Sequence, residues 1–438
     1  MKTRRALCLI GTFAAVLLVS AGAQALPSPQ PDVTYMVDGP VRALIQVEPP
    51  GQNLVWIAGK FDHIMKNRLT PVATVDGLAV LDDTTGAMAA GVHIPILGRS
   101  TGEPMVFDMA MSPDGSALYV AGQFNSVDGV ARKNVAAINP ATGALLPFAP
   151  NAQPASSIYA SATNVYVGGL KLSSYQLDGT ATPGFTPPEA IIDPTLRSNP
   201  TKATFRDIEA SGSTLVVACQ CDSISDASGV HLTRALVQID GVTGVLLPWT
   251  PSNLNTDSAA FGIKLTIGAD PISGLPTIYL AAGGSDFTAA YDLVTGAQIW
   301  KTDTSGSSQA ITIYQGAVVV GGHFDWSESP STPQCGKNAE PTPGCYHTPK
   351  LVAMDRATGD VLLDPISSQP WNPGICCVYQ GLWALLTDAN GTALHVGGEF
   401  KKAGGTWTFN GVTGLWEIHG FAKQDYYARF SDPVPPPP

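Results

Sequence analysis

The sequence predicts an all-β fold, a seven-bladed β-propeller of four-stranded antiparallel blades whose ring is closed by an N-terminal strand. Three observations predict it. A strand that ends in glycine, or in Cys219 or Ala282 at the equivalent position, recurs seven times. A second strand followed by an Asp- or Asn-initiated turn follows most copies, and 45 glycines with 36 prolines suit a turn-rich chain. Each repeat buries its apolar faces only against its neighbours, so one large domain accommodates a chain of 438 residues.

The repeated unit is clearest between residues 106 and 150. Apolar residues alternate with others in its first strand, as in a half-buried strand, and Ser-Pro-Asp-Gly then forms a turn. The third strand leads into Asn-Pro-Ala-Thr-Gly, in which Gly143 supplies the left-handed position of the turn. The four strands contain, in order, Phe107 with Met109 and Met111, residues 117–120, residues 134–138, and Leu145 with Leu146 and Phe148.

The copies are unevenly spaced, which places the length differences in loops. The glycine-equivalent positions are Gly59, Gly122, Gly169, Cys219, Ala282, Gly322 and Gly398. The strands predicted before them are 41–47, 106–111, 156–160, 204–210, 259–265, 310–314 and 382–386. If these strands are innermost, charged residues surround a central channel, where water can solvate them: Arg42, Asp108, Arg206, Asp207 and Lys264.

Acidic and amide residues begin the turns after the third strands, for example Asp82, Asn139, Asp240 and Asp355. Such side chains could be calcium ligands. Because each lies where an Asx side chain accepts hydrogen bonds from its own turn, the sequence favours a turn-capping role.

The last repeat is incomplete. After Phe400, only residues 426–430 can supply a third strand, and no fourth strand follows. We expect the segment from Asp32 to Met36 to supply the missing strand, which closes the ring and removes its open edges. Residues 26–431 are thus predicted to form the propeller, and residues 432–438 a Pro-rich tail.

Residues 1–25 are predicted to be a signal peptide. Lys2, Arg4 and Arg5 precede an apolar run over 6–19, and Ala-Gln-Ala at 23–25 is a small-x-small cleavage site. The run is short for a membrane span, although a single uncleaved anchor is the alternative. We expect a secreted, extracellular protein with no membrane attachment after cleavage.

The charge of the chain argues against nucleic acid as a partner. Removing three basic residues with the signal peptide leaves 21 basic residues against 35 acidic ones, a net charge of −14. Such a surface repels phosphate backbones.

Six cysteines remain after the signal peptide, and an even number in an exported chain favours disulfides. Cys335 and Cys345 form the best pair, because the intervening loop contains two prolines and two glycines. The adjacent Cys376 and Cys377 could form a vicinal ring. Residues Cys219 and Cys221 could bridge or bind a metal, and a bridge is favoured because no further ligand lies near in sequence.

The second repeat contains a set of short motifs: YVAGQF at 119–124, GVAR at 129–132, VAAI at 135–138, ATGA at 141–144 and PFAP at 147–150. Together they resemble the secreted bacterial β-propeller repeats of unassigned function called delta-60 repeats. The resemblance covers the mature chain and is sharp in the second and sixth repeats. It is poor in the third and fourth, where Lys171 and Cys221 replace the expected phenylalanine. It implies a secreted propeller with no catalytic residues to transfer and no cofactor.

A second likeness supplies the alternative function. The segment YDLVTGAQIW at 291–300 is similar to one repeat of the pyrroloquinoline-quinone dehydrogenases, and Cys376-Cys377 resembles the vicinal disulfide that some of them place over the quinone. That resemblance implies a stacking Trp, calcium-binding carboxylates and a catalytic Asp at the channel mouth. Only one repeat ends in Gly-x-x-x-Trp, so a quinoprotein oxidoreductase remains the alternative.

We expect a non-catalytic binding or scaffold module, because the sequence contains no Gly-x-Ser-x-Gly, His-Glu-x-x-His or Gly-x-x-x-x-Gly-Lys motif. Its expected partner is an extracellular glycan or protein. Polar residues after the repeated glycines would line one rim of the ring, although solvated strand ends are the alternative reading. They are Lys60, Gln123, Gln220, His323 and Glu399. Trp326 and the 335–345 insertion form a second candidate surface.

Overall fold

The structure is a computed structural model that describes residues 26–195, 202–330, 344–363, 368–376, 380–411, 413 and 415–431. Every regular element among these residues is a β-strand. No helix in these ranges is long and apolar enough to cross a membrane. The predicted signal peptide and the predicted Pro-rich tail lie outside the described residues.

The strands form seven main antiparallel sheets, which we number in chain order. In each sheet the first strand pairs with the second, and the second pairs with the third. Sheet 1 comprises Val41–Val47, Leu54–Gly59 and Leu78–Asp82; sheet 2, Met105–Met111, Leu118–Gln123 and Val135–Ile138; sheet 3, Ser157–Ala160, Asn164–Gly168 and Leu172–Gln176; sheet 4, Thr204–Ser211, Thr214–Gln220 and Leu236–Asp240; sheet 5, Phe261–Ala269, Pro276–Gly283, Phe287–Asp292 and Gln298–Asp303; sheet 6, Ser308–Tyr314, Ala317–Gly322 and Leu351–Asp355; sheet 7, Gly381–Thr387, Ala393–Glu399 and Tyr427–Ser431.

Among the described residues, the predicted fourth strand is complete only in sheet 5. In sheets 1, 2, 3, 4 and 6 a single bridge marks its place, such as Ile138 with Leu145 and Ile239 with Leu246. In sheets 2 and 4 a proline follows each bridge within two residues, Pro147 and Pro248. Proline has no N–H to continue a ladder, so pairing ends there.

Seven apolar clusters hold the sheets together, and each cluster joins two consecutive sheets. The seventh joins sheet 7 to sheet 1, where Ala384 and Tyr427 pack with Val41 and Val55. The period of two along a strand divides its side chains between both neighbours. In sheet 1, Val55 faces sheet 7 and the next residue, Trp56, belongs to the cluster shared with sheet 2.

The recurrent Gly-x-Phe motif has a steric cause. In six sheets an extra residue interrupts the pairing near the start of the first strand, forming a β-bulge. A Cβ on Gly122 would lie 2.1 Å from the carbonyl oxygen of Met105, and one on Gly322 would lie 2.3 Å from that of Ser307. Glycine lets the two strands approach. The bulge residues are Arg42, Phe107, Arg206, Ile263, Gln309 and Trp383.

The turn-capping prediction for the acidic and amide residues is confirmed. The Asp82 carboxylate accepts hydrogen bonds from the N–H and hydroxyl of Thr85 at 2.8 and 3.0 Å. Asn139 accepts from the N–H groups of Ala141 and Thr142, both at 3.0 Å. Their oxygens are therefore used within their own turns.

Gly143, as predicted, has a left-handed conformation with φ of 75°. A Cβ there would also lie 1.6 Å from the carbonyl oxygen of His93. We expect Gly143→Ala to reduce the free energy of unfolding by about 3 kcal/mol, since backbone strain and overpacking both contribute. Urea titration measures this loss.

The matched control is Gly115→Ala. Gly115 has φ of 71°, but a Cβ there would meet nothing within 4 Å. Only the backbone strain of about 1 kcal/mol is expected. Equal losses for both variants would contradict the steric explanation.

Smaller sheets are inserted between the second and third strands of sheets 1, 2, 4, 6 and 7. Three of them are each joined by one short strand from elsewhere in the chain. The inserted sheets are Met36–Val37 with His63–Asn67 and Thr70–Thr74; Leu97–Gly98 with Ser126–Val127 and Val130–Ala131; Glu189–Ile191 with Ser223–Asp226 and Gly229–Leu232; Trp326–Glu328 with Cys345–His347; and Thr406–Asn410 with Leu415–His419.

The N-terminal segment lies beside the last strand of sheet 7. The N–H groups of Ser28 and Asp32 donate to the carbonyl oxygens of Ser431 and Arg429 at 3.1 and 2.8 Å. This contact begins earlier than the predicted segment from Asp32 to Met36. Met36 instead pairs with the inserted hairpin of sheet 1, because its apolar side chain is buried there.

Candidate functional site

The first strands of all seven sheets surround one cavity of about 340 Å³. Sequence reasoning placed charged residues at this channel, and four of the five named line it. The fifth, Arg206, lies next to the lining residue Asp207. The lining comprises residues 42–45, 108–111, 158–160, 207–209, 264–266, 310–312 and 383–385.

Lys264 joins two carboxylates across this cavity. Its Nζ lies 3.1 Å from Oδ1 of Asp108 and 2.9 Å from Oδ1 of Asp207. The second oxygen of each carboxylate accepts a backbone N–H from the next sheet, that of Ile158 at 3.0 Å and that of Leu265 at 2.8 Å. These bonds connect sheets 2 to 5 through charged groups rather than apolar contact.

Burial changes the proton affinity of this cluster. It raises the pKa of Asp108 to about 6 even though Lys264 opposes the change. The pKa of Glu209, in the same cavity, is raised to about 8 by burial and by the nearby charge of Asp207. Burial lowers the pKa of Lys264, but the two carboxylates outweigh it and hold that pKa above its usual value. Glu209 therefore gains or loses a proton near neutral pH.

The raised pKa of Glu209 predicts that the free energy of unfolding decreases as pH rises. A carboxyl whose pKa is raised by folding stabilises the protein below its unfolded pKa of 4.5, and that contribution is lost as pH passes about 8. We expect Glu209→Gln to remove about 2 kcal/mol of this loss, since water in the cavity screens part of the shift. Urea unfolding between pH 5 and 9 measures it. Parallel pH profiles for the two proteins would contradict it; exposed Glu103→Gln is the control.

The bulges place polar and aromatic side chains at one mouth of the cavity. The guanidinium of Arg42 stacks on Trp383, with 4.1 Å between its Cζ and the ring centroid. Its Nη2 lies 3.6 Å from Oε1 of Glu399. Across the channel, Nε of Arg206 donates to Oε1 of Gln220 at 3.0 Å. Two cations and one carboxylate therefore meet at this mouth.

Three polar atoms at this mouth are buried with no hydrogen-bond partner among the described residues. They are Nε of Arg42, Nε1 of Trp383 and Oε1 of Gln309. Gln309 itself is only 6% exposed. The three residues occupy the bulges of sheets 6, 7 and 1, whose first strands pack side by side. Such unpaired groups are costly, which marks the mouth as a place for a ligand.

The predicted rim residues separate into two groups. Gln220 and Glu399 turn inward to the arginines of the mouth, and Gln220 is only 2% exposed. Lys60 is exposed and pairs with Glu103 at 2.7 Å, and His323 is also exposed. Gln123 is half-buried at the end of its strand. Their binding roles stay predictions.

Trp326, predicted as part of a recognition surface, is buried with 6% exposure. Its ring contacts His347 and Trp416 edge-on, at centroid distances of 5.1 and 6.2 Å. Trp416 lies on the hairpin inserted in sheet 7. Its contact with Trp326 joins segments that are distant in sequence, so no local sequence pattern indicates it. The indole of Trp416 stacks on His347 at 4.0 Å.

Cys219 is bonded to Cys221, so the disulfide reading is confirmed for this pair. Both residues are fully buried, at the positions that glycine and phenylalanine hold in other repeats. Cys345 and Cys376 are also disulfide-bonded. Cys335 and Cys377 lie outside the described residues, so their pairing stays a prediction.

Sequence reasoning missed two residues that line the channel, Glu209 and Trp383, and also Gln309, which precedes the lining residue Ala310. Glu209 lies on a strand that it identified, two residues after Asp207, so the alternation of that strand could have indicated it. Gln309 and Trp383 are placed by bulges, which no local pattern revealed.

Comparison with solved structures decides the fold. The crystal structure of the RRP9 WD40 repeats matches with a TM-score of 0.54 and 11% identity, over 93% of this chain and 99% of that chain. The fold is a β-propeller. The propeller of Doa1 matches with a TM-score of 0.46 and 9% identity, over 92% and 96% of the two chains. The designed Ika8 protein has a TM-score of 0.45 and 12% identity, over 92% and 99%.

At sequence identities this low, the comparison with solved structures shows the fold alone. No family model matches the chain, and a search of curated proteins found no match.

In a propeller, insertions at equivalent points project from one face. The inserted hairpins leave where the second strands end, beside the bulges at the starts of the first strands. We call this side, with the five inserted hairpins and the mouth residues Arg42, Arg206, Gln309 and Trp383, the hairpin face. The Asx turns lie at the other ends of the strands.

Proposed function

We propose that this chain is a secreted, non-catalytic binding module that recognises an extracellular protein or glycan on its hairpin face. The observation that carries this proposal is the combination, on one face, of five projecting hairpins and a mouth with unpaired polar atoms. Rigid scaffolds that present loops in this way are suited to recognition. The signal-peptide pattern of residues 1–25 supports export.

We also infer that the seven sheets are the blades of a closed ring, with the N-terminal segment on the outer edge of sheet 7. The apolar cluster between sheets 7 and 1 and the backbone bonds of Ser28 and Asp32 support closure. A bridge in place of a fourth strand supports four-stranded blades with a short outer edge. The Gly-x-Phe geometry fits the proposed relationship to the delta-60 repeats.

Exposed apolar side chains on the hairpins support a partner at this face. Leu69, Val130, Val230, Leu232 and Leu415 are exposed by 90, 47, 67, 64 and 63%. They belong to four hairpins, so a partner spanning the face could bury several of them at once. Burial of apolar area stabilises association by roughly 25 cal/mol per Å² before the costs of binding are subtracted.

The residues of the channel do not fit the quinone alternative. Calcium needs carboxylate oxygens that are free to face the ion. Here the Lys264 ammonium lies between Asp108 and Asp207, and their other oxygens accept backbone N–H groups. The Trp383 ring already carries the guanidinium of Arg42 on one side. We derive no oxidoreductase chemistry from this arrangement.

A pair of variants tests the hairpin face. Val230→Glu with Leu232→Glu places two charges on the hairpin of sheet 4. Its control, Val242→Glu with Val294→Glu, makes the same change at exposed positions of the Asx turns, 65 and 70% exposed. Each protein is immobilised, incubated with culture medium, and the captured molecules are identified and quantified.

We expect the hairpin variant to lose capture at least tenfold and the turn variant to retain it. Loss in the turn variant alone, or equal capture by all three proteins, would refute a binding role for the hairpin face.

A further inference from the structure

We propose that the mouth formed by Arg42, Arg206, Gln309 and Trp383 binds an acidic side chain of a peptide segment, which enters the channel from the hairpin face. The inference rests on the proposed function and narrows the partner to a protein. Neither the charge of the whole molecule nor its exposed surface would suggest it, because the chain carries a net charge of −11.

The charges at the mouth favour an acidic ligand. Arg42 and Arg206 occupy equivalent bulges on sheets 1 and 4, and both side chains are half-buried. Burial, together with the nearby charge of Arg42, lowers the pKa of Arg206 to about 10. The one carboxylate placed against them, Glu399, approaches only Arg42 and at 3.6 Å, longer than a hydrogen bond. At the mouth the two cations therefore exceed this carboxylate by one charge, whereas the Lys264 cluster elsewhere in the cavity has two carboxylates for one ammonium.

The unpaired polar atoms at the mouth match the hydrogen-bonding groups of a glutamate in a peptide. Within the part of the chain that the structure describes, Nε of Arg42 and Nε1 of Trp383 are donors without partners, and Oε1 of Gln309 is an acceptor without one. A ligand that satisfies all three must accept two hydrogen bonds and donate one. A glutamate in a peptide offers carboxylate oxygens to the donors and a backbone N–H to the acceptor. Sulfate or chloride offers the first without a matching donor.

The space at the mouth and in the cavity suits a peptide segment. The Gly381 backbone lies against Gln309, since a Cβ there would be 2.3 Å from Oε1 of that side chain. Glycine thus keeps room for the glutamine at the mouth. The cavity below, of about 340 Å³, holds a side chain and part of a backbone but not a folded domain. Exposed apolar residues on the surrounding hairpins, such as Val230 and Leu232, suit a protein partner better than a glycan.

The test uses two capped peptides, acetyl-Gly-Glu-Glu-Glu-Gly-amide and its counterpart with three glutamines. Purified mature protein is titrated with each by calorimetry. We expect the glutamate peptide to bind at least tenfold more tightly. Arg42→Gln and Arg206→Gln should each weaken it at least tenfold, while Arg99→Gln, at an exposed arginine near the same face, leaves it unchanged.

Thermal unfolding of the same variants separates binding from structure. Because the two guanidiniums are buried with like charge, Arg206→Gln is expected to leave Tm unchanged or raise it. A fall in Tm with unchanged peptide binding would assign the arginines a structural role and overturn the proposal. Gln309→Leu, which removes only the unpaired acceptor, should weaken the peptide while Tm is retained.

A parallel titration with trigalacturonate tests whether the mouth binds an acidic glycan instead of a peptide. Binding of trigalacturonate that depends on Arg42, without binding of the peptide, would overturn the peptide proposal in favour of a glycan. If neither probe binds while the hairpin face still captures a partner from medium, the inference about the mouth fails and the proposed function stands.

Discussion

Replacing Lys264 with methionine should reduce the free energy of unfolding by about 3–5 kcal/mol, the usual cost of removing one partner from a buried ion pair. Lys264 is the partner of both Asp108 and Asp207, which are each 7% exposed. Without the ammonium, two carboxylates face each other in the cavity. Denaturant unfolding at pH 7 measures the loss.

The pH dependence of the destabilisation by Lys264→Met provides a second test. Lowering the pH protonates the unpaired carboxylates. Because Lys264 holds the pKa of Asp108 down to about 6 in the intact cluster, its removal raises that pKa, and the deficit of Lys264→Met should shrink as the pH falls towards about 6. The triple variant that adds Asp108→Asn and Asp207→Asn should recover much of the stability, because no buried charge remains. A single variant as stable as the wild type at pH 7 would show that the cluster is solvated rather than buried.

Replacing Arg429 with methionine should cost a similar amount, about 3–5 kcal/mol, for the same physical reason. Arg429 in sheet 7 binds Asp32 of the N-terminal segment, and its Nε lies 2.9 Å from Oδ1 of Asp83, which follows sheet 1. Burial raises the pKa of Asp83, although Arg429 opposes this. Removing the arginine leaves Asp83, only 5% exposed, without its main counter-charge.

His395 does not replace the lost charge. It is fully buried, as expected from its place inside a strand, and burial lowers its pKa to about 3. Its Nδ1 lies 2.9 Å from the hydroxyl of Tyr427, so it serves as a neutral packing residue.

The control for Arg429→Met is Arg68→Met. Arg68 pairs with Asp425, but it is more exposed, and Asp425 keeps Lys401 at 3.9 Å. We expect a loss of about 1 kcal/mol or less, as for exposed ion pairs. Amide hydrogen exchange provides the decisive readout. Arg429→Met should speed exchange in sheets 1 and 7 before the others, whereas uniform acceleration would argue against a local closure role.

The strands of this protein were predictable because their signals are local. The predicted first strand over 41–47 is observed at those residues, and that over 310–314 is observed as Ser308–Tyr314. Alternation and turn residues act within a few positions, so one sequence suffices to locate them. The fourth strands were over-predicted, because two or three apolar residues before a proline form a bridge rather than a ladder.

The candidate site was predictable only in part. Arg42 and Lys264 could be placed near the channel once their strands were taken as innermost. The stacking of Arg42 on Trp383 could not, because these residues lie in sheets 1 and 7 at opposite ends of the chain. For the same reason Gln220 was taken for a rim residue, whereas Arg206 draws its side chain inward.

The sequence by itself determined where strands and turns form, which side chains are apolar on each face, and that glycine recurs at the end of most second strands. These properties depend on neighbours a few residues away. Only the tertiary structure decided which charges meet in the channel, which polar atoms remain unpaired at its mouth, and how the N-terminal segment contacts sheet 7. Those contacts join residues as distant in sequence as Ser28 and Ser431, and they exist only when all seven sheets have packed around one cavity.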